Sequence, residues 1–346
     1  MRSWLLVLAV AGLPAVETLA LGLGGGVLPP VSITTSGVSA AGKAVPWAEV
    51  AVVALARTPA TACSAGIVTR QGEILRGVTG ELDKGVLRCA GDLAGPRQVP
   101  LDTLAAIILG PVDFSALPAL LAGDPGAVLG NGERITGTLS FLNAEAVGLD
   151  TGRRVAQLPR GRIAVIVLRP VQPAAAGCTW LQVANGDRVL AGGAIPVAPE
   201  AVIAAWREGP GCQALATRAP RRAVAADRMA AALPVRPGSG FPTQVGGLAT
   251  PMGVRLPARG EIAWDAAGFE RLLAWAACPV GGQATVASVV LDGKVAWEQT
   301  LQPGAVAVAV SVPLAGAAEV ALRAGPTADG ETAMCQVQWG MPILAK

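Results

Sequence analysis

The strictest constraint on the fold is a period of two among the apolar residues of the C-terminal third. The run VAVAVSVPL at 306–314 places a valine at every second position from 306 to 312. A half-buried strand needs this alternation, whereas a helix would spread the valines over all its faces. Upstream, Asp292-Gly293 separates two apolar runs within 283–297, and this dipeptide favours a hairpin turn that needs positive φ. Residues from about 240 to 344 are therefore predicted to form a small all-β sandwich.

The motifs of this segment occur in the order found in a known family. They are GVRLPARGEIAWD at 253–265, FERLLAWAAC at 269–278, VVLDGKVAW at 289–297, VPLAGAAEVALRAG at 312–325 and QVQWGMPIL at 336–344. This order resembles the NPCBM family of carbohydrate-binding modules, jelly-roll (galactose-binding-like) sandwiches often appended to secreted bacterial glycosidases. The family ends in an acidic-His-Ala-Asp-Trp stretch, whereas this chain has CQVQW at 335–339. The resemblance implies the fold and a carbohydrate ligand, but no role for the missing acidic and His groups.

Histidine is absent from all 346 residues, which excludes several classes of catalytic site. Ser-His-Asp catalysis, Cys-His catalysis and His-ligated zinc all need an imidazole. Paired carboxylates stay available for acid–base catalysis, but no pair of acids is singled out by its spacing. The net charge of +3 is too small to indicate nucleic-acid binding. We therefore expect a protein that is not an enzyme, with no metal or cofactor and no nucleic-acid partner. Calcium binding is left open, although no motif supports it.

Six cysteines occur without any CxxC spacing, which argues against metal clusters and thioredoxin-type chemistry. An even number is typical of a disulfide-bonded exported protein. The alternative is a set of small buried thiols. Pairing in sequence order keeps each predicted disulfide within one domain and gives Cys63–Cys89, Cys178–Cys212 and Cys278–Cys335.

Residues 1–20 have the features of a secretory signal. Arg2 precedes the apolar run 4–16, and small residues occupy positions 18 and 20. A short positive start, an apolar stretch and small residues before a cleavage site are typical of such signals. We predict cleavage after Ala20 and a bacterial protein that is secreted, periplasmic or on the cell surface. The alternative is an uncleaved anchor, because residues 21–31 stay apolar.

A degenerate repeat runs between residues 31 and 237. Its closing strand recurs at 45–55, 99–109, 158–168 and 224–233, and its opening recurs as RQGEILRG at 70–77, GNGERITG at 130–137 and ANGDRVLAG at 184–192. Each opening places a Gly-acidic pair in a hairpin turn, so each copy is predicted to be a small β-meander or barrel. The pattern resembles Sm-like or SH3-like small barrels. The copies lack aromatic and basic clusters for RNA, and the repeats are interpreted as a scaffold.

Two segments are predicted to be helical, residues 117–122 and residues 199–207. The second has Pro and Glu in its first turn and Gly209 beyond its end. The Gly/Pro-rich stretch 236–247 is predicted to be a linker. The expected division of the chain is a signal peptide (1–20), repeats one and two (31–111), repeats three and four (126–237) and the sandwich (238–346).

The ligand-binding residues are predicted from tryptophans that lie beside carboxylates. A flat aromatic face next to hydrogen-bonding groups is typical of a sugar-binding surface. Trp275 and Trp339 share strand parity with apolar residues and are assigned to the core. The predicted binding residues are Trp264, Trp297, Glu261, Asp265 and Glu298.

The sequence thus favours an exported all-β protein that binds a glycan or cell-wall polysaccharide through its C-terminal sandwich. A first alternative is a structural or assembly component of the cell envelope that uses its β-domains to contact a protein partner. A second alternative is an accessory subunit of a glycoside hydrolase. Exposure of Trp264 and Trp297 on one face favours binding, whereas burial of all the sandwich tryptophans favours the structural role.

Overall fold

The structure is a computed structural model and is nearly all β. It describes residues 18–22, 24, 27–28, 31–40, 42–56, 62–91, 95–113, 116–172, 177–192, 197–224, 233–235, 244–326 and 335–346. Most of the predicted signal segment and residues 236–243 of the predicted linker lie outside these ranges. The predicted cleavage point after Ala20 falls within a described strand, Thr18–Gly22. In the described part of the chain, no helix is long and apolar enough to cross a bilayer.

The first two copies of the repeat have the same order of elements: strands a, b, c and d, a 3₁₀ turn, and strand e. In unit 1, β2 and β3 together correspond to strand b. Unit 1 comprises β1 (Thr18–Gly22), β2 (Val27–Leu28), β3 (Val31–Ile33), β4 (Gly37–Ala40), β5 (Lys43–Pro46), the turn Trp47–Glu49 and β6 (Val50–Leu55). After β7 (Ala62–Cys63), unit 2 comprises β8 (Gly66–Thr69), β9 (Ile74–Asp83), β10 (Val86–Gly91), β11 (Gly95–Pro100), the turn Leu101–Thr103 and β12 (Leu104–Ile108).

The other two copies follow a short connecting region. This region contains β13 (Val112–Asp113) and the helix α1 (Leu117–Leu121), which confirms the first predicted helix. Unit 3 comprises β14 (Gly126–Leu129), β15 (Arg134–Thr136), β16 (Thr138–Leu142), β17 (Ala146–Asp150), β18 (Val155–Pro159), the turn Arg160–Arg162 and β19 (Ile163–Val167). Unit 4 comprises β20 (Cys178–Val183), β21 (Arg188–Leu190), the turn Pro199–Ala201 and β22 (Val202–Glu208).

A glycine bends strand b. In unit 2 the single strand β9 pairs with β8 before Gly77 and with β10 from Gly77 onward. Gly77 has φ of +146°, and a Cβ atom there would lie 2.0 Å from the carbonyl oxygen of Ala90. Gly137 occupies the same place in unit 3, between β15 and β16, with φ of +158°. The second glycine of the repeat motif is therefore required by backbone geometry.

The units share one 14-stranded sheet, in which strands a, b and e run in the order β15-β14-β19-β12-β8-β9-β21-β20-β22-β6-β1-β2. The other two strands are β10, which pairs with β9, and β11, which pairs with β10. Along this sheet the units lie in the order 3-2-4-1. Strands of the same letter pair where two units meet: e with e between units 3 and 2, b with b between units 2 and 4, and e with e between units 4 and 1. The β12–β19 contact shows the local two-fold relation. Leu109 N–H donates to the carbonyl of Ala164 at 2.9 Å, and Leu168 N–H donates to the carbonyl of Ala105 at 2.8 Å.

The remaining strands form a two-sheet sandwich. Its strands are β23 (Cys212–Ala214), β24 (Arg222–Val224), β25 (Leu233–Val235), β26 (Gln244–Val245), β27 (Leu248–Ala249), β28 (Gly253–Pro257), β29 (Glu261–Asp265), β30 (Arg271–Ala277), β31 (Thr285–Leu291), β32 (Lys294–Leu301), β33 (Val308–Pro313), β34 (Glu319–Pro326) and β35 (Gln336–Ala345). One sheet has the order β25-β28-β35-β30-β33 with β23 on β35, the other has the order β24-β29-β34-β31-β32, and β26 pairs with β27.

The sandwich and the units pack through one apolar cluster, here called the joint. The outer face of the sheet containing β30 and β35 contributes Trp275, Met341 and Ile343, and the large sheet contributes Trp206 of unit 4 and Val52 of unit 1, among others. A separate cluster fills the space between the two sandwich sheets. The strands β30 and β35 of one sandwich sheet are therefore buried on both faces, whereas the other sheet is covered on its inner face.

The predicted hairpin turn of the sandwich is confirmed. Asp292 and Gly293 form the turn between β31 and β32, with φ of +46° and +82°. The carboxylate of Asp292 also accepts the N–H groups of Ala318 and Glu319, at 3.2 and 2.9 Å. It therefore anchors the neighbouring loop in addition to forming the turn.

Two predictions about the end of unit 4 are wrong. Residues 199–207 form a 3₁₀ turn and then the buried strand β22, which pairs with β20 and β6. The run VIAAW is buried on both faces of the sheet, so it lacks the alternation that marks a strand and was predicted as a helix. The closing strand of unit 4 is therefore β22 and not residues 224–233. Instead β23, β24 and β25 pair into the sandwich sheets, so the sandwich takes in residues from 212 onward and not from 238.

Candidate functional site

The outer face of the sheet β24-β29-β34-β31-β32 is the exposed surface of the sandwich, here called the open face. Strand register aligns one polar row across it: Glu261 lies opposite Arg323, Arg323 opposite Ser288, and Ser288 opposite Glu298. Because side chains alternate along each strand, the next inward positions fill the core while this row points outward. The row exposes the carboxylate of Glu298 and the guanidinium group of Arg323, whereas Ser288 is 3% exposed and the side chain of Glu261 is 14% exposed.

Ion pairs hold the row in place. Glu261 Oε1 lies 2.7 Å from Arg222 Nη2, and Glu261 Oε2 lies 2.6 Å from Arg323 Nη2. Arg222 also contacts Glu319 at 3.0 Å, and Ser288 Oγ donates to Glu298 Oε2 at 3.0 Å. Pairs of this kind, in which the arginine is exposed and the carboxylate is partly buried, add about 1 kcal/mol each to stability. Their main consequence is geometric, because they fix both acceptor carboxylates and donor guanidinium groups on one surface.

The floor of the open face is made of small or short apolar side chains. Ala263, Val290 and Ala321 are buried and form a small cluster of their own beneath the polar groups. Neither β29 nor β34 places a bulky side chain between the ion pairs, so the surface is shallow. A flat ring of a ligand can approach the carboxylate and guanidinium groups from above.

The predicted binding residues divide between two faces. Glu261, Glu298 and Asp265 lie on the open face; Asp265 is exposed and its Oδ1 accepts the N–H of Ala267 at 3.0 Å. Trp264 was predicted to bind ligand, and this is wrong, because its side chain is 0% exposed in the sandwich core. Strand alternation explains the error, since Glu261 and Asp265 lie three and one residues from Trp264, and these odd spacings place the indole on the opposite face.

Trp297 is half-buried on the edge strand β32 and also faces the core side. Its ring lies 5.9 Å from that of Trp339 in an edge-to-face contact. The predictions that Trp275 and Trp339 are buried are confirmed, since both are 0% exposed. The open face therefore carries the acids without the tryptophans, and the predicted aromatic platform is not formed.

The cationic half of the open face was not predicted from the sequence. Arg222 and Arg323 provide its guanidinium groups, and neither is among the binding residues predicted from the sequence. Arg323 lies two residues from Ala321 and from Gly325, so strand parity alone would have placed it outward. The pairing of β24 with β29, which brings Arg222 to Glu261, has no signal in the sequence.

A concave surface lies on unit 2. It has a cavity volume of about 640 Å³ and is lined by Val78, Gly80, Arg88, Cys89, Arg97 and Gln98, among others. Val78 is 70% exposed, and Arg88 contacts Asp83 at 3.8 Å. The surface is open and carries few convergent polar groups, so it is a weaker candidate site than the open face.

The described residues hold no group of three or more His, Cys, Asp or Glu side chains placed to bind a metal ion. On the open face, Glu261 is bound between two arginines and Glu298 bonds to Ser288. A glycosidase needs two carboxyl groups facing each other across a cleft. The open face is flat, and its geometry suits binding better than bond cleavage.

No disulfide bond is formed by the six cysteines, all of which are described. Cys63 donates to the carbonyl of Ala65 at 2.9 Å and lies in the cluster on one face of the large sheet, whereas Cys89 packs against the cluster on the other face. This separation argues against the predicted Cys63–Cys89 pair.

The other two predicted pairs lie closer together. Cys178 packs against the joint cluster that contains Cys212, and both Cys278 and Cys335 contact Gln283. Burial raises the pKa of the Cys212 thiol to about 12, and burial likewise raises the pKa of Cys178 and of Cys278. These thiols are poor nucleophiles in this structure, and their pairing stays a prediction.

Comparison with known proteins gives structural neighbours only. No family model matches the chain, and no curated protein matches it. A carbohydrate-binding module (CBM51) of Clostridium perfringens GH95, solved with methyl-galactose, is 14% identical, with 39% of this chain and 99% of that chain covered and a TM-score of 0.31. The tandem CBM51 modules of a Streptococcus pneumoniae family 98 glycoside hydrolase are 12% identical, with 91% and 88% covered and a TM-score of 0.34.

A further neighbour is a fragment of Clostridium perfringens ZmpB, comprising CBM51-2 in complex with GlcNAc and INT domains. It is 11% identical, with 61% of this chain and 38% of that chain covered and a TM-score of 0.33. These structural neighbours are carbohydrate-binding modules. The resemblances to the NPCBM family and to Sm-like barrels stay predictions.

Proposed function

We propose that the protein binds a carbohydrate, such as a cell-wall polysaccharide, through the open face of its C-terminal sandwich. The observation that carries this proposal is the row Glu261–Arg323–Ser288–Glu298, which crosses four strands of the exposed sheet. Carboxylates accept and guanidinium groups donate hydrogen bonds to sugar hydroxyls, and both kinds are held in fixed positions here. The protein acts outside the cytoplasm and is not itself an enzyme.

The chemistry of the face indicates the class of ligand. Arg222 and Arg323 are balanced by Glu261 and Glu319 through direct ion pairs. A neutral sugar chain therefore fits better than an acidic one, since both arginines are already paired with carboxylates, whereas the carboxylate of Glu298 bonds to the hydroxyl of Ser288. Because no aromatic ring is exposed in the row, we expect weak binding to each sugar and dependence on several contacts along a chain.

The test is a glycan array probed with the full chain, followed by calorimetry on any positive glycan. Arg323→Ala removes one donor from the centre of the row and is expected to weaken binding about tenfold, since a bond to a charged group contributes about 1.5–3 kcal/mol. The matched control is Arg255→Ala, an exposed arginine on the other sheet that also bonds one side chain, Gln336 at 2.7 Å. Equal binding by both variants would place the ligand elsewhere, and the unit 2 surface would be examined next.

A second candidate is a structural or assembly component of the envelope. Burial of Trp264, Trp275 and Trp339 favours it, because these side chains pack the sandwich internally and onto the units. Under this function the sandwich contributes rigidity and a protein-binding surface. An array with no positive glycan, from a chain shown to be folded, would favour this second function. Capture by an envelope hydrolase would instead favour an accessory-subunit role.

A further inference from the structure

The a–b hairpins of units 2, 3 and 4 are the same structure. In each, the residue that ends strand a donates its N–H to the carbonyl of the acidic residue before strand b: Thr69 to Glu73 at 2.9 Å, Leu129 to Glu133 at 2.8 Å, and Val183 to Asp187 at 2.8 Å. The strand registers match position by position. Glu73, Glu133 and Asp187 are therefore equivalent residues.

Units 2 and 4 use this hairpin to bind each other. Strand b of one meets strand b of the other, with Ile74 opposite Arg188. The carboxylate of Glu73 accepts the N–H of Leu190 at 3.1 Å, and the carboxylate of Asp187 accepts the N–H of Arg76 at 2.6 Å. In each case the acid binds the residue three positions after its counterpart. The contact is a reciprocal exchange about a local two-fold axis.

The exchange is buried. Glu73 and Asp187 are both 1% exposed. Arg188 adds a bond from its Nη2 to the carbonyl of Gly72 at 3.1 Å, and its guanidinium group lies 5.0 Å from the ring centre of Trp180. Two carboxylates that are desolvated and bound by backbone N–H groups make this a specific contact rather than an incidental strand pairing.

Unit 3 presents the same hairpin without a partner unit. Its strand b is β15, which ends the path of the large sheet and pairs only with β14 among the described strands. Glu133 is exposed. Thr136 lies three positions after Glu133 and is therefore equivalent to Arg76 of unit 2 and Leu190 of unit 4. The N–H groups of Arg76 and Leu190 point away from strand a of their own unit. The N–H of Thr136 therefore faces the unpaired edge.

We propose that β15 is a dimerisation edge, where a second copy of this chain pairs strand b to strand b about a two-fold axis. Each Glu133 accepts the N–H of Thr136 in the other copy, which repeats the exchange already made between units 2 and 4. Arg134 lies on the two-fold axis, directly opposite Arg134 of the second copy. Its guanidinium group is turned aside, because Nη1 and Nη2 bond the carbonyls of Asp124 and Leu120 at 2.8 and 2.6 Å.

The other end of the sheet is a poorer partner for β15. It ends in β2, which is strand b of unit 1. The residue before β2 is Gly26, so this hairpin has no carboxylate to exchange. Pairing of β15 with β2 would also add chain after chain into an open filament, whereas β15 against β15 closes as a dimer. The missing acid favours the closed form.

The sharpest test is cysteine cross-linking of the full chain. Arg134→Cys places two cysteines across the axis, at the Cα separation of about 4.4–6.8 Å that a disulfide requires. Thr136→Cys is the matched control on the same strand, because the two copies of residue 136 would stand about 13 Å apart. We expect a covalent dimer from the first variant at roughly tenfold the yield of the second. Equal cross-linking by both variants, or none above wild type, would overturn the proposal.

Sedimentation velocity on variants without new cysteines is the second test. Wild type is measured up to roughly 0.5 mM, because a small interface gives a weak dimer. Glu133→Lys removes the acceptor and is expected to raise the dimer dissociation constant at least about tenfold. The matched control is Glu145→Lys, an exposed acid that also follows an asparagine whose side chain caps its N–H. A monomer at every concentration, growth beyond a dimer, or the same constant in both variants would contradict the proposal.

Discussion

Trp275 tests whether the sandwich and the units are one folding body. Its side chain is 0% exposed in the joint, between β30 and the strands of units 1 and 4. Burying about 200 Å² at about 25 cal/mol per Å² contributes about 5 kcal/mol. Its indole N–H has no hydrogen-bond partner among the described residues, which costs about 1–3 kcal/mol. We therefore expect Trp275→Ala to lower the free energy of unfolding by about 3 kcal/mol.

Urea unfolding of the full chain, followed by circular dichroism, measures this loss. Since the joint couples the two parts, the variant is expected to split one transition into two, with the sandwich and the units unfolding separately. The control is Trp297→Ala, a half-buried tryptophan at the sandwich edge, for which about 1 kcal/mol is expected without a split. A loss below about 1 kcal/mol for Trp275→Ala, or a loss equal to that of the control, would refute the idea of a shared core.

Three further predictions follow from burial and strand order. Burial raises the pKa of the Glu73 carboxyl group, so the folded state holds this proton to higher pH than the unfolded state does. The free energy of unfolding therefore falls as pH rises above about 4.3. In denaturant titrations at pH 4 to 7, Glu73→Gln should remove this loss, and Glu133→Gln should not. A fragment of residues 238–346 lacks β23, β24 and β25, so it should melt lower than a fragment of residues 211–346. The Cys212 thiol, with a pKa of about 12, should react with iodoacetamide only at the rate of unfolding, and rapid labelling of the native chain would contradict its burial.

The features that sequence reasoning predicted correctly are local. The Asp292-Gly293 turn, the Gly-acidic turns of the repeats and the helix at 117–121 depend on backbone conformations that particular residues favour. The burial of Trp339 followed from its parity with Val337, since alternate residues of a strand share a face. Such signals extend over a few residues and survive without knowledge of tertiary contacts.

The features that it missed depend on what covers each strand. Strand e of the units is buried on both faces. In β22 the apolar residues therefore do not alternate with polar ones, and the period of two that predicts a strand is absent. Trp264 was assigned to the surface because acids flank it, although the same acids on a strand place it inside. The Arg222–Glu261 pair joins residues 39 positions apart, and no local sequence pattern predicts the pairing of the two strands that carry them.

The covering of the large sheet limits where the protein can bind a ligand. One face of its central strands is covered by the cluster that includes the c and d strands of the units. On the other face, α1 packs over units 2 and 3 and the sandwich packs over units 1 and 4. The sandwich sheet that contains β30 and β35 packs into the joint, so the part of its outer face that contributes Trp275, Met341 and Ile343 is closed to ligand. The open face has no such cover from the units, and it is the surface on which Glu261, Arg323 and Glu298 are brought together.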